Sequence, residues 1–385
     1  MELDGTTASR FRADAMREIR AAVVREKDGP FIIEPAFVAP PGPQEVLVRV
    51  MAAGLCHTDV KVRGAGHPAP VPIVLGHEGA GIVEEVGSEV RDLSPGDRVA
   101  MSFLSCGDCS PCWKGAVAYC AHFFPLNFGG ARLDGSHALR DAAGESLHDR
   151  FFGQSSFASH AIAHARNVVR VPDDLPFDVL APLGCGIQTG AGAVLNVFRL
   201  GPGASFACFG AGAVGLSAIM AARATGAAKI IAVDVVPSRL ALARELGATH
   251  GVNAAEVDAV GAVREITGGG ADFTLESSGR PTVLAQAVDC LGPLGTCGII
   301  GGAPRGSQLA LDIMATMGGG RTIRGIIEGD SRPHEFIPQL VDLYRAGRFP
   351  FDRLITRYPF ERINDAMHDS ETGKAIKPVL VMEGP

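Results

Sequence analysis

Three short stretches of this chain carry side chains suited to metal or covalent chemistry. The first is GLCHTD, residues 54–59, where Cys56 and His57 stand side by side at the end of an apolar run. A cysteine there can ligate a metal, act as a nucleophile or pack in a core, and a lone one is most often structural. The second, GHEGAG, brings His77 and Glu78, and the third, APLGCGIQTGAG, brings Cys185. Two thiolates and one imidazole make a three-ligand zinc set that leaves a coordination position for water or substrate.

A denser cluster, CGDCSPCWKGAVAYC, places Cys106, Cys109, Cys112 and Cys120 in one short lobe. Four thiolates close a tetrahedral zinc shell with no open position, so this metal would hold a loop with little core of its own. Two disulfides are the alternative, which a reducing compartment disfavours. The chain has nine cysteines, an odd number, with four of them in this lobe, and that also points to metal.

GAGAVG, Gly210 to Gly215, has the G-x-G-x-x-G spacing. Alone it is weak in so glycine-rich a chain, but it follows a predicted strand and opens a predicted helix. Gly210 permits the tight turn, Gly212 lets backbone approach a pyrophosphate, and Gly215 lets helix and strand pack closely. The helix start offers free N–H groups to phosphate. Asp234 ends the next strand, where a carboxylate accepts hydrogen bonds from a ribose diol and repels a 2′-phosphate, which favours NAD over NADP. Arg239 lies five residues further on and either flanks that ribose or is a solvated helix residue.

The elements that must position these groups fall into two textures. From Ala21 to about Val99, short β-rich stretches (AAVVRE, EVLVRVMAAG, GIVEEVG, DRVAMS) alternate with Pro- and Gly-rich turns, which predicts a barrel-like antiparallel domain. Residues 121–165 form a polar excursion with no legible periodicity. Its His122, His137, His148, His160 and His164 are irregularly spaced, as in a solvated loop. After Cys185, strands (ASFACFG, KIIAVDV, DFTLESSG, GTCGIIGG) alternate with helices (AVGLSAIMAARATG, PSRLALARELGA, TVLAQAVDCLGPLG), which predicts a doubly wound parallel sheet with right-handed crossovers. PHEFIPQLVDLYRAGRF returns to a helix outside that sheet.

With 385 residues the chain is long enough for two cores, and its 46% apolar residues and 49 glycines suit an α/β protein. A net charge of −7 disfavours nucleic acid as a partner. No apolar run approaches the roughly 20 residues needed to span a bilayer. The expectation is a cytoplasmic protein with no membrane partner. Residues 1–20 read as a loose extension, with Met16 a possible start.

Together GLCHTD, GHEGAGIVEEVG, the four-cysteine lobe, GCGIQTGAGA, GAGAVG and VD resemble, in order, the zinc-dependent medium-chain alcohol dehydrogenase family, over nearly everything after residue 20. The resemblance implies an α/β fold with a GroES-like β-rich catalytic domain (21–186 and 330–385, zinc lobe about 101–122) and a Rossmann NAD-binding domain (187–329). It implies two zinc ions per chain, and Cys56, His77 and Cys185 as ligands of the catalytic one, the Cys2His set known for alcohol dehydrogenase. Glu78 is similar to the acid that approaches the metal transiently. Asp59 looks like the carboxylate that orients His77. Thr58 looks like the hydroxyl relay for the substrate proton. The cofactor site would comprise His57 and Thr189, the Gly motif with Ala213 and Val214, Asp234 and Arg239, then Ile300, Gly302 and Lys377.

Two positions depart from the family pattern. Lys61 replaces the final relay histidine, so proton release directly to water is an equal alternative, and His57 replaces an arginine beside the first ligand. CHTD, the missing relay histidine and the stretches FFPLNFGGARLDGS and FFGQSSFASHA are more similar to the aryl-alcohol and terpenoid-alcohol branch. Benzyl, cinnamyl, geranyl or perillyl alcohol would be oxidised to the aldehyde, with Phe103 as a candidate pocket wall. Glutathione- or mycothiol-adduct formaldehyde dehydrogenases are the nearest alternative, and a non-catalytic NAD-binding redox sensor a third. A zinc-free quinone or enoyl reductase conflicts with both cysteine sets. The stretch GTCGIIGGAPRGSQLALDI resembles the region through which family members pair their sheets, implying a homodimer, possibly a homotetramer.

Overall fold

The computed structural model describes residues 16–382. Its N-terminal part is built on two antiparallel-rich sheets. One has the strand order Ile73–Val74, Arg17–Val24, Phe31–Val38, Leu139–Asp141, Ser146–Leu147. The other runs Val168–Arg170, Arg98–Met101, Gly79–Val86, Glu45–Gly54, Lys377–Val381, Ile355–Pro359, with His160–His164 also on Glu45–Gly54. The C-terminal chain therefore returns to this sheet, Leu380 lying opposite Ala53. Alternation of Val and Ala with polar residues seals a shared apolar interior that includes Val23, Val48, Val74 and Phe157. The first strand starts at Arg17 and pairs Arg17 with Val38, so residues 17–20 are sheet and not loose extension. Residues 1–15 of that expected extension lie outside the described residues.

The second body is a six-stranded, all-parallel sheet, ordered His250–Asn253, Lys229–Asp234, Ser205–Phe209, Ala271–Glu276, Leu291–Ile299, Thr322–Gly325. Its central strands are buried on both faces, as the apolar runs SFACF and IIAVD require. The predicted helices Ala213–Ala224 and Pro237–Leu246 are present, whereas the third, Pro281–Asp289, stops earlier than expected because Leu291 already pairs in the next strand. GTCGII is not an edge: Thr296 lies between Phe273 and Thr322, and the edge strand is Thr322–Gly325.

The excursion acquires structure through long-range contacts. Helix Phe123–Phe128 is pinned by Asn127, which exchanges hydrogen bonds of 2.8 and 2.9 Å with the Leu104 backbone. Three of its histidines are not simply solvated: His137 and His148 pack ring to ring at 4.9 Å, and His160 Nε2 lies 3.3 Å from Glu84, while His122 is exposed. Glu45, at the start of its strand, takes two bonds of 2.8 Å from Arg132 and one of 2.9 Å from the buried Arg150. Burial alone would raise the Glu45 pKa, but the two arginines bring it down to about 2.

A carboxylate depressed in the folded state stabilises above its ordinary pKa and loses that contribution as pH falls through the folded value. For Glu45, a fall from 4.5 to about 2 corresponds to roughly 3 kcal/mol. Glu45→Gln is therefore expected to unfold at lower urea than wild type at pH 7, with the gap narrowing as pH is lowered from 4.5 toward 2. A gap that stays constant across that range would contradict this account.

Candidate active site

Cys56 caps the short helix His57–Arg63, and Asp59 at its third position accepts the Cys56 N–H at 2.9 Å. The same carboxylate turns its other oxygen to the Gly76 N–H, 3.1 Å, and to His77 Nδ1, 3.0 Å. One buried aspartate thus ties the first two candidate ligands together. The His77 ring is stacked on Phe152 at 4.4 Å and edge-on to Phe151 at 5.1 Å, while Gln154 donates to its backbone carbonyl at 3.0 Å. Its Nε2 is left buried with no hydrogen-bond partner. A buried imidazole nitrogen is costly in that state, and a metal bond resolves it.

The ligand atoms of Cys56, His77, Glu78 and Cys185 lie within 4.8 Å of one another. A hydrogen bond between the two thiols holds Cys56 well below the usual thiol range and pushes Cys185 up. Glu78 is fully buried, its two oxygens 2.8 and 2.9 Å from Lys377 Nζ and one of them 3.1 Å from the Gly186 N–H. Lys377, expected at the cofactor, is 2% exposed and paired with Glu78. Thr58 Oγ1 lies 3.8 Å from Cys56 Sγ. The donor set, two thiols and an imidazole whose other nitrogen is fixed by a carboxylate, fits zinc.

The second cluster fits equally. Cys109–Cys112 and Cys106–Cys120 sulfur separations are both 3.4 Å, with Cys109–Cys120 at 3.9 Å and Cys106–Cys112 at 4.0 Å. A tetrahedron of sulfurs at the zinc–thiolate distance has edges of about 3.8 Å. Cys109 is brought down to about 6, chiefly by the Ala121 N–H. Tyr119 fastens the lobe to the chain after the parallel sheet, donating to Asp330 at 2.6 Å.

In the glycine motif Gly210 adopts φ +98°, and a Cβ on Gly215 would fall 1.9 Å from the Gly210 carbonyl. A Cβ on Gly212 would meet nothing within 4 Å, leaving open the approach to Ala213 and Val214 at the helix start. Asp234 is already bonded to Ala211 N–H at 2.6 Å and to Val235 and Val236 N–H at 2.8 and 2.9 Å, so it also shapes the turn. Arg239 extends to the backbone of Gly373, where a Cβ would fall 2.7 Å from its guanidinium. Lys61 Nζ crosses to the Gly302 carbonyl at 2.6 Å, beside Ile300, whose N–H is held by Glu276 at 3.0 Å. His57 is exposed on the first helical turn. Phe103 is 3% exposed and packs on Phe123, which makes it core and not an open wall.

Sequence reasoning missed Glu328. Buried at 8% exposure, its carboxyl lies 3.6 Å from Cys185 Sγ and 3.3 Å from Thr189 Oγ1, and burial pushes its pKa up to about 7. It stands 143 residues from Cys185 in the short 3-10 segment Glu328–Asp330, with its own φ at +49°, so no motif signals it.

A GroES-like β body, a parallel dinucleotide-type sheet and a Cys2His cluster between them define a zinc- and nicotinamide-dependent dehydrogenase. Comparison with known proteins agrees: residues 42–173 match the alcohol dehydrogenase GroES-like domain and residues 213–346 the zinc-binding dehydrogenase family. The chain belongs to the zinc-dependent medium-chain alcohol dehydrogenases. It is 50% identical to geraniol dehydrogenase of Castellaniella defragrans over 94% of this chain and 97% of that protein. Among solved structures, an alcohol dehydrogenase zinc-binding domain protein from Burkholderia ambifaria superposes with a TM-score of 0.95 at 58% identity, covering 96% of this chain and 100% of that one. Benzyl alcohol dehydrogenase from Acinetobacter calcoaceticus does so with a TM-score of 0.93 at 47% identity, covering 95% and 100%. Among the described residues no helix is long and apolar enough to cross a membrane.

Proposed function

We propose that this enzyme oxidises primary allylic or aromatic alcohols, of the geraniol or benzyl alcohol type, to aldehydes, reversibly and with NAD. The carrying observation is the buried, unpartnered His77 Nε2 facing Cys56 and Cys185, beside the parallel-sheet body that bears the glycine motif. Half-identity to a geraniol dehydrogenase, and near that to a benzyl alcohol dehydrogenase, supports the substrate class. Zinc at such a site polarises an alcohol or carbonyl oxygen, and the nicotinamide exchanges the hydride.

In this reading Cys56, His77 and Cys185 hold the catalytic zinc, and Asp59 fixes the His77 ring so that Nε2 faces the metal. Glu78, neutralised by Lys377, keeps a carboxylate near without adding net charge. Thr58 passes the substrate proton outward. Lys61 is occupied with Gly302, so the proton leaves to solvent past Thr58 with no second protein relay. Cys106, Cys109, Cys112 and Cys120 hold a second, structural zinc. Gly212, Ala213 and Val214 meet the pyrophosphate, and Asp234 meets the adenosine ribose and disfavours a 2′-phosphate.

We also infer a cytoplasmic homodimer. The edge strand Thr322–Gly325 is largely exposed, and Leu294, Leu311, Ile313, Met314 and Met317 are exposed nearby in the chain, an apolar surface suited to a second copy. The test is the initial rate of cofactor reduction with geraniol, benzyl alcohol and S-(hydroxymethyl)glutathione, each with NAD and NADP, on zinc-quantified protein. Turnover of the first two with NAD is expected. Turnover of the thiol adduct alone would move the assignment to formaldehyde-adduct oxidation.

A further inference from the structure

Residues 150–155 bend around His77 in a backbone conformation that their sequence disfavours. Arg150, Phe152 and Ser155 have φ of +69°, +52° and +52°, in the left-handed region, and Gly153 among them has φ +67°. Glycine enters that region freely and other residues at a steric cost, so the segment stores strain. Such strain persists where the surroundings over-determine the backbone, and here they do. Arg150 donates to the Ile162 carbonyl at 2.6 Å and to Glu45 at 2.9 Å. Ser155 Oγ donates to the Val74 carbonyl at 2.6 Å and accepts the Phe151 N–H at 3.0 Å. Gln154 donates to the His77 and Ser102 carbonyls at 3.0 and 3.1 Å and accepts the Gly79 N–H at 3.0 Å.

The bend delivers two rings to the ligand histidine. Phe152 lies along the His77 face, 29° from parallel with centroids 4.4 Å apart, and Phe151 meets it edge-on at 84°. All three side chains are buried. Asp59 gives Nδ1 one hydrogen-bonding oxygen, which also takes the Gly76 N–H, and a single hydrogen bond tolerates tilting of the ring. A face contact resists that tilt and so fixes the direction in which Nε2 points. A metal-bound imidazole also shares the charge of the metal, which the negative face of a phenyl ring attracts. The contact therefore favours the loaded site over the empty one.

We propose that Phe152 is a positioning residue for the catalytic metal: the left-handed bend at 150–155 holds its ring on His77 and so slows loss of the ion. This inference rests on the zinc reading above.

The experiment follows zinc transfer from the fully loaded protein to a chromogenic chelator, with the four-cysteine ion as internal reference, and the visible spectrum of protein carrying cobalt in the catalytic site. In Phe152→Met one ion is expected to leave about 10-fold faster than in wild type or more, the other at an unchanged rate, and the cobalt bands shift. Phe152→Tyr, which keeps the ring face, stays close to wild type in both readouts. Phe128→Leu is the packing control: it removes a ring 5.1 Å from Phe152 and leaves the His77 contacts in place, so both readouts keep their wild-type values. Wild-type release from Phe152→Met, or an equal acceleration in Phe152→Tyr or Phe128→Leu, overturns the inference. So does a Phe152→Met protein that does not fold, because the ring would then serve the fold and not the metal. Wild type that takes up a single zinc overturns the zinc reading itself.

Discussion

Replacing His77 by alanine is expected to lower kcat/KM for alcohol oxidation by about 10³-fold or more and to remove one zinc equivalent, while NADH binding survives. The variant deletes the only imidazole of the cluster and leaves Asp59 without the ring it orients. Several kcal/mol of charge stabilisation by the metal are lost, and each 1.4 kcal/mol is tenfold in rate. The glycine motif and Asp234 belong to the other sheet and keep their shape. Asp59→Asn should cost less, about 10- to 100-fold, because it weakens orientation and not ligation. Turnover of His77→Ala within tenfold of wild type, or unchanged zinc content, would contradict the assignment.

The second large effect concerns stability. Lys377→Met leaves Glu78 fully buried with only the Gly186 N–H at 3.1 Å, where it now has two contacts under 3 Å from the ammonium. Burial already raises the Glu78 pKa and would lower that of Lys377, which Glu78 instead holds above its ordinary value. Breaking a buried pair from one side costs about 3–5 kcal/mol. The expected result is a large drop in the urea midpoint, much of it restored in Glu78→Gln/Lys377→Met, which removes both charges. A double variant no more stable than the single one would show that packing of the lysine stem, and not the unpaired carboxylate, sets the cost.

Much of this site was legible because its chemistry is written in short local motifs. The Gly210–Gly215 turn, the four-cysteine lobe and the Cys56 and His77 stretches each need particular residue types within a few positions, so type and spacing reveal them. What escaped is what long-range packing decides. Nothing local distinguishes Glu328 from a surface turn acid; only the return of the chain past Gly325 brings it to Cys185. Lys377 has the right charge for a phosphate contact, yet the sheet pairing of Leu380 with Ala53 carries it inside to Glu78. GTCGII has the β-rich pattern of any buried parallel strand, and whether it forms an edge depends on Thr322–Gly325, a short strand with little apolar signal. The excursion failed to read because its order comes from Asn127, Glu45 and Arg150 reaching across the fold.

The central claim is hydride transfer from an alcohol carbon to a nicotinamide at the Cys56, His77 and Cys185 site. Its most direct measurement is the mass of the reduced cofactor formed from NAD and geraniol carrying two deuteriums on the carbinol carbon, with zinc-loaded protein. The account predicts that one deuterium is recovered in each reduced nicotinamide, and that His77→Ala abolishes the transfer. Reduced cofactor without deuterium, or none formed by wild type holding its zinc, would contradict it.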